Sequence, residues 1–299
     1  MHLSSAQMRA STHPGTPAAA PLRLPLHPAR TRRAYLYAVH AGASHAAIST
    51  LLEAAGGEHR IQRDRVEPAI AHVAAVGKEL GLNKVTPAFI PGAFNGALTT
   101  DVRQIEQADD TTNLGRLTFN QFKPTDTKVQ LGQFTGGSYA PRAETGLPDL
   151  YRGPFEGMPQ GYCLFTHFRV VEDGKSPDDC LHGVMTAIAE YDVPGGDKPA
   201  AMTIKFRRLR LQPTPSVAQN QERLNHWLHL FKTHNPSMND AGVGEVELPA
   251  NGPVGTIEYL LMDENEQVHV GNMGSCMIMK RWSPPAGSLG AALVEACKQ

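Results

Sequence analysis

The stretch VGTIEYLLMDENEQVHVGNMGSCMIMKRW, Val254 to Trp282, decides the fold class because it holds three β-prone runs separated by two short turn signals. Ile257, Tyr259 and Leu261 alternate with Thr256, Glu258 and Leu260, and Val268 and Val270 alternate with Gln267 and His269. Side chains alternate across a strand with period 2, so both runs read as strands with one apolar face. Asp263 to Glu266 supplies the first turn, and Gly271 to Gly274 supplies glycines for a second before Cys276 to Lys280 resumes. Turns this short force antiparallel pairing, and the stretch reads as a three-stranded meander.

The same alternation recurs upstream. Leu117 and Phe119, then Val129 and Leu131 beyond Pro124, predict a β-hairpin. In YCLFTHFRVV (Tyr162 to Val171) the residues Tyr162, Leu164, Thr166, Phe168 and Val170 share a face, and HGVMTAIAEY (His182 to Tyr191) is apolar on both faces. In MTIKFRRLRL (Met202 to Leu211) the phase slips: Ile204 and Phe206 are even, Leu209 and Leu211 odd. A β-bulge between Arg207 and Arg208 would return all four to one side.

Helices are few. One is expected from a Ser44 cap through Ile48, Leu51 and Leu52 to Gly56, and another from an Asp64–Glu67 capping box through Ile70 and Val73 to Gly81. Ser216 with Gln219 predicts a third helix through Thr233, and a last short one runs through Leu289 and Val294. Pro87 to Gly96, Gly136 to Pro159 and Asn235 to Pro253 read as loops. Eight or nine antiparallel strands with little helix between them point to a mainly β (α+β) fold, a lipocalin-like antiparallel barrel preceded by a short helical segment. The expected organisation is a leader over 1–43, the helical segment over 44–92, the barrel over 93–283 and a tail over 284–299.

Composition narrows the function classes. At 41% apolar residues the chain can bury a sizeable core, and no apolar run is long enough for a spanning helix. Its four cysteines have neither CxxC spacing nor scaffold density, which favours a reducing compartment. No acidic residue precedes Glu53, whereas Arg9, Arg23, Arg30, Arg32 and Arg33 stand among Ser, Thr, Ala and Pro. That pattern predicts a chloroplast transit peptide cleaved near Ala38 to Ala41. The remaining chain is mildly acidic, which argues against nucleic acid as a partner.

Several motifs bear on chemistry. His226, His229 and His234 lack the HExxH pattern of a helical zinc site, so no metal is assigned. Cys180 and His182 suggest a thiol with a base, but no oxyanion site accompanies them, and no catalytic residue is assigned. Lys205, Arg207, Arg208 and Arg210 suit either a solvent face or an anionic headgroup. The residues expected to line a ligand cavity are Phe119, Leu164, Phe168, Ile188, Ile204, Phe206, Tyr259 and Val268, with no cofactor.

The order of these pieces resembles the plastid lipid-associated protein family, the plastid fibrillins, over roughly residues 46–281. The resemblance rests on Leu51-Leu52-Glu53, on LGRLTFNQFKPT (Leu114 to Thr125), on LHGVMTAIAEY (Leu181 to Tyr191), on the strand from Ile204 to Pro213, and on YLLMDENEQVHVGNMGSCMIMKR. At Leu98 the chain has leucine where family members usually carry tryptophan. The resemblance implies residence at thylakoids or plastoglobules and binding of hydrophobic small molecules such as isoprenoid or acyl lipids. A scaffold for a prenyl-lipid biosynthetic enzyme, acting through the outer face and the Gly136 to Pro159 loop, is the alternative from another class. A chloroplast hydrolase or transferase using Cys180 or the histidines around Trp227 is a third.

Overall fold

The computed structural model describes residues 28–86, 89–90, 92–100, 111–139, 161–193 and 201–282. Residues 1–27 of the expected 1–43 leader, most of the 136–159 loop and the last helix lie outside them. The chain divides into two units, Met1–Val39 and His40–Gln299. The barrel lies wholly in the second.

Ten strands form one sheet: β1 (Gly92–Thr100), β2 (Thr111–Asn113), β3 (Lys128–Tyr139), β4 (Gly161–Val170), β5 (His182–Asp192), β6 (Ala201–Pro213), β7 (Gly244–Glu247), β8 (Val254–Met262), β9 (Glu266–Gly271) and β10 (Cys276–Arg281). The order β1-β10-β9-β8-β6-β5-β4-β3 returns to β1 through a β1–β3 pairing. Eight antiparallel strands therefore close a barrel of the expected lipocalin-like kind, with β2 and β7 paired outside the ring to β3 and β6. Closure leaves the ring without a free edge. The opening meander is β8, β9 and β10, paired in sequence.

The bulge in β6 sits where the slipped alternation put it. Phe206 pairs with Ala189 and Arg208 with Ile188, leaving Arg207 as the extra residue. Ile204, Phe206, Leu209 and Leu211 consequently face one side.

Other expectations are corrected. The interval expected as a loop up to Gly96 contains β1, a strand masked in the sequence by its Gly, Asn and small residues. Phe119 does not alternate with Leu117 in a strand, because residues Leu114–Leu117 form the short helix α3, capped by the Asn113 side chain accepting from the Arg116 amide. Phe119 and Asn120 then take positive φ and turn the chain toward β3. Helix α1 (Pro28–Ala54) begins well before Ser44, whose hydroxyl donates to the Asp263 carboxylate instead of capping. Helix α2 (Glu67–Leu80) starts after Val66, and Glu67 pairs with Arg63 at 2.6 Å rather than with Asp64 in a box. The third helix is split into α4 (Pro215–Ala218) and α5 (Gln221–Phe231), because Asn220, not Ser216, accepts from the amide of Arg223 and caps the longer piece. Strand β7 lies in the stretch expected as loop.

The helices cover two regions. The apolar stripes of α1 and α2, with Ile48, Leu51, Ile70 and Val73 buried, pack on Leu98, Leu261, Val268 and Ile278 from β1, β8, β9 and β10. Arg63 also donates to the Gly274 carbonyl at 2.6 Å, so the helical segment holds both turns of the meander. Contact is closest at Gly77 of α2, where an added Cβ would lie 1.9 Å from the Leu260 carbonyl oxygen. Alanine normally gains roughly 1 kcal/mol over glycine inside a helix, yet overpacking against backbone costs roughly 1–3 kcal/mol. The clash wins here, and Gly77→Ala is expected to lower the urea midpoint, with a net loss of roughly 1–2 kcal/mol. An unchanged or raised midpoint would show that α2 does not rest on β8.

Candidate functional site in the barrel lumen

Residues paired directly across neighbouring strands point to the same side of a sheet. Tyr162 pairs with Ala189 and Ala189 with Phe206; Tyr191 pairs with Ile204, Met202 with Ile257, Tyr259 with His269, His269 with Met277, and Gly96 with Met279. That set is continuous around the ring and opposite to the face covered by α1 and α2, so it lines the lumen.

The lumen is packed at both ends. At one end the connection after α2 crosses it, placing Val85 and Ile90 among Tyr191, Met202, Tyr259 and Met262. The Gln267 amide donates to the Phe89 carbonyl at 3.0 Å and fixes that crossing. At the other end Trp227 and Phe231 of α5 meet Phe122, Phe168 and Leu211. Between these layers, Phe94, Phe134 and Met279 form a smaller cluster, with the Phe134 ring lying over Gly96.

Four inward residues are only partly buried: Tyr162, Leu164, Phe206 and Met277. Leu164 and Phe206 each join two of the interior clusters, between the packed ends. Around one end, three large apolar side chains are exposed: Phe119 at 40%, Val254 at 53% and Met273 at 54%. Val254 starts β8, Met273 sits in the β9–β10 turn, and Phe119 precedes β3, which places all three at the same end. The Phe119 ring meets Phe206, 5.9 Å between centroids, linking this rim to the lumen wall.

The lumen carries almost no charge. Among the described strand residues that face inward, the charged one is Arg281 at the end of β10, its guanidinium 4.8 Å over the Phe94 ring and bonded to the Glu264 carbonyl. Burial pushes the Tyr162 and Tyr259 phenols well above their usual range and lowers the His269 imidazole to about 4. All three are neutral at pH 7.

Of the expected cavity residues, Leu164, Phe168, Ile204, Phe206 and Tyr259 face the lumen, and Phe119 stands at its rim. Ile188 and Val268 are corrected. Ile188 pairs with Cys163 and Arg208 on the outward face, and Val268 packs beneath the helices. Both are apolar because the barrel wall is covered on its outer side there, so alternation marked burial without saying which side was buried. The neighbours of Val268, Gln267 and His269, occupy the lumen instead; the sequence signal was one register step away, in the polar members of QVHV.

The other motifs fall elsewhere. Arg207 pairs with Glu190 at 2.7 Å, Arg208 with Glu247 at 2.6 Å and Arg210 with Glu245 at 3.3 Å, so the arginines stitch β6 to β5 and β7. Each of these three arginines of the outer strip is thus paired with a carboxylate. Cys180 is buried, and its carbonyl accepts from Arg223. His182 Nε2 lies 3.0 Å from the Pro177 carbonyl, and His182 borders a groove of about 180 Å³ shared with Gln130, His167, Phe168, Arg169 and Gly183. His226 lies 3.3 Å from Glu172. Among the described residues no group of His, Cys, Asp and Glu is arranged to hold a metal.

Set beside known proteins, the chain matches no family model, no curated protein and no solved structure.

Proposed function

We propose that the barrel holds one hydrophobic small molecule, an isoprenoid or acyl lipid, in the lumen between its packed ends. The observation that carries this reading is the partial exposure of Tyr162, Leu164, Phe206 and Met277 on the inner wall of a closed barrel, beneath an apolar rim. Close-packed interiors leave few such gaps, and apolar concavities with a few polar groups are the usual form of small-molecule sites. The resemblance to plastid lipid-associated proteins supports the same class of ligand, at the thylakoid or plastoglobule surface. Chloroplast import belongs to this proposal, and sequencing the amino terminus of the native protein tests it.

Affinity is expected to come from buried apolar area at roughly 25 cal/mol per Å². With no charged side chain in the middle of the lumen among the described residues, raising salt from 50 to 500 mM should change affinity less than about twofold. Leu164→Trp, which adds bulk on the inner wall, should weaken uptake of a fluorescent polyene by about tenfold or more while moving the thermal midpoint little. Steep loss of binding with salt would place the ligand on a charged surface, and full binding by Leu164→Trp would take it out of the lumen.

A further inference from the structure

Among the described residues of the lumen wall, His269 is the polar side chain with both of its polar atoms buried and unserved. It sits in β9 between Tyr259 of β8 and Met277 of β10, and is 5% exposed. The Tyr259 ring meets it edge-on, 5.6 Å between centroids, which supplies packing and no hydrogen bond. Neither Nδ1 nor Nε2 has a partner. One register step along the same strand, Gln267 also faces inward, and its amide is satisfied by the Phe89 carbonyl. A buried polar group stripped of water without replacement is disfavoured, and such groups in folded proteins are ordinarily bonded.

We propose that His269 is the seat of the ligand's polar head, and that the ligand is a neutral oxygenated lipid, an alcohol or a ketone-type carbonyl on a long apolar chain. This rests on the lumen reading above and goes beyond it by naming the head group. A neutral imidazole offers one N–H donor and one bare nitrogen acceptor. A hydroxyl can answer either nitrogen, one at a time, and a carbonyl can answer the donor. A carboxylate or phosphate head would need a cation, and the nearest inward charge among the described strand residues, Arg281, is held at the barrel end by Phe94 and the Glu264 and Phe89 carbonyls. A hydrocarbon would leave both ring nitrogens as they are. The chain of the ligand then extends along Leu164 and Phe206 toward the rim at Phe119.

The experiment uses the full chain loaded with diphenylhexatriene, an uncharged fluorescent hydrocarbon, and displaces it with geranylgeraniol or with the saturated hydrocarbon phytane. The wild type should take the alcohol at least tenfold more tightly. His269→Leu should bring the two competitors within about twofold of each other without weakening diphenylhexatriene uptake more than threefold, and His269→Gln, which keeps a donor and an acceptor, should restore part of the preference. On the wild-type protein, addition of the alcohol should also shift the His269 ring nitrogen resonances, and phytane should leave them in place. Equal binding of alcohol and hydrocarbon, or ring resonances that ignore the alcohol, overturns the role of His269 and leaves the lumen reading standing. Failure of the wild type to take up diphenylhexatriene at all overturns the lumen reading and this inference with it.

Discussion

Trp227→Ala should cost roughly 4 kcal/mol of stability, within the range for deleting a large buried aromatic. Trp227 is fully buried, its ring lies 4.5 Å centroid to centroid from Phe231 and 6.2 Å from Phe168, and its Nε1 donates to the Gly242 carbonyl at 2.9 Å. Small residues make room for it. A Cβ on Gly183 would come within 2.5 Å of the ring, and one on Gly242 within 2.7 Å. These backbones cannot collapse inward without dragging β5 and the turn before β7, so the vacated volume stays largely a cavity. The hydrogen bond adds to the loss, because truncation orphans a carbonyl, while the better helix propensity of alanine returns only about 0.5 kcal/mol. For a chain of this size the thermal midpoint should fall by roughly 10 °C. Trp227→Phe, which keeps most of the ring and loses the donor, should cost roughly 1–2 kcal/mol. Equal, small losses for both would mean that α5 is not the plug at that end of the barrel.

How much of this was legible depended on what each residue's burial was due to. The β6 bulge was legible because its flanking apolar pairs, Ile204 and Phe206 against Leu209 and Leu211, all face the lumen and have only one way to do so. The meander was legible because its turns are short and polar, with the Asp263 carboxylate accepting from the amides of Asn265 and Glu266 to close the first. Strand β1 was not, since in GAFNGALTT the glycine at 96 is required by the Phe134 ring above it, a contact between strands far apart in sequence. The side assigned to β9 failed for a similar reason. Val268 and Val270 look like a core face because α1 and α2 cover the outside of the barrel, and nothing local to QVHVG reveals that cover. The alternation puts His269 opposite the apolar face of QVHVG, and that opposite face is the interior wall. Leu164 and Phe168 on β4 and Ile204 and Phe206 on β6 face the lumen, whereas Ile188 and Val268 lie on the outward face of strands that are buried on both sides.

Acidification gives the second large effect. Burial lowers His269 to about 4 in the folded protein, against 6.5 for an unhindered imidazole. As pH falls, the unfolded chain therefore takes up this proton before the folded one does, and unfolding becomes more favourable. Above about pH 7 neither state is protonated and His269 contributes nothing to the pH dependence. Stability is lost between 6.5 and 4, and the loss levels off below 4, where both states carry the proton. Each pKa unit is about 1.4 kcal/mol, so at pH 4.5 this single group removes roughly 2–3 kcal/mol. His167 is also lowered by burial and acts in the same sense, and acidic groups add their own slopes. The contribution of His269 is isolated by difference: urea denaturation at pH 7.5 and 4.5, for the wild type and for His269→Leu. The variant should be about as stable as the wild type at pH 7.5, because two unserved nitrogens are replaced by apolar surface, and more stable by roughly 2–3 kcal/mol at pH 4.5. Parallel losses in both proteins would mean that His269 is protonated in the fold, that an acidic partner or water serves its ring, and that the lumen is not the dry neutral wall described above.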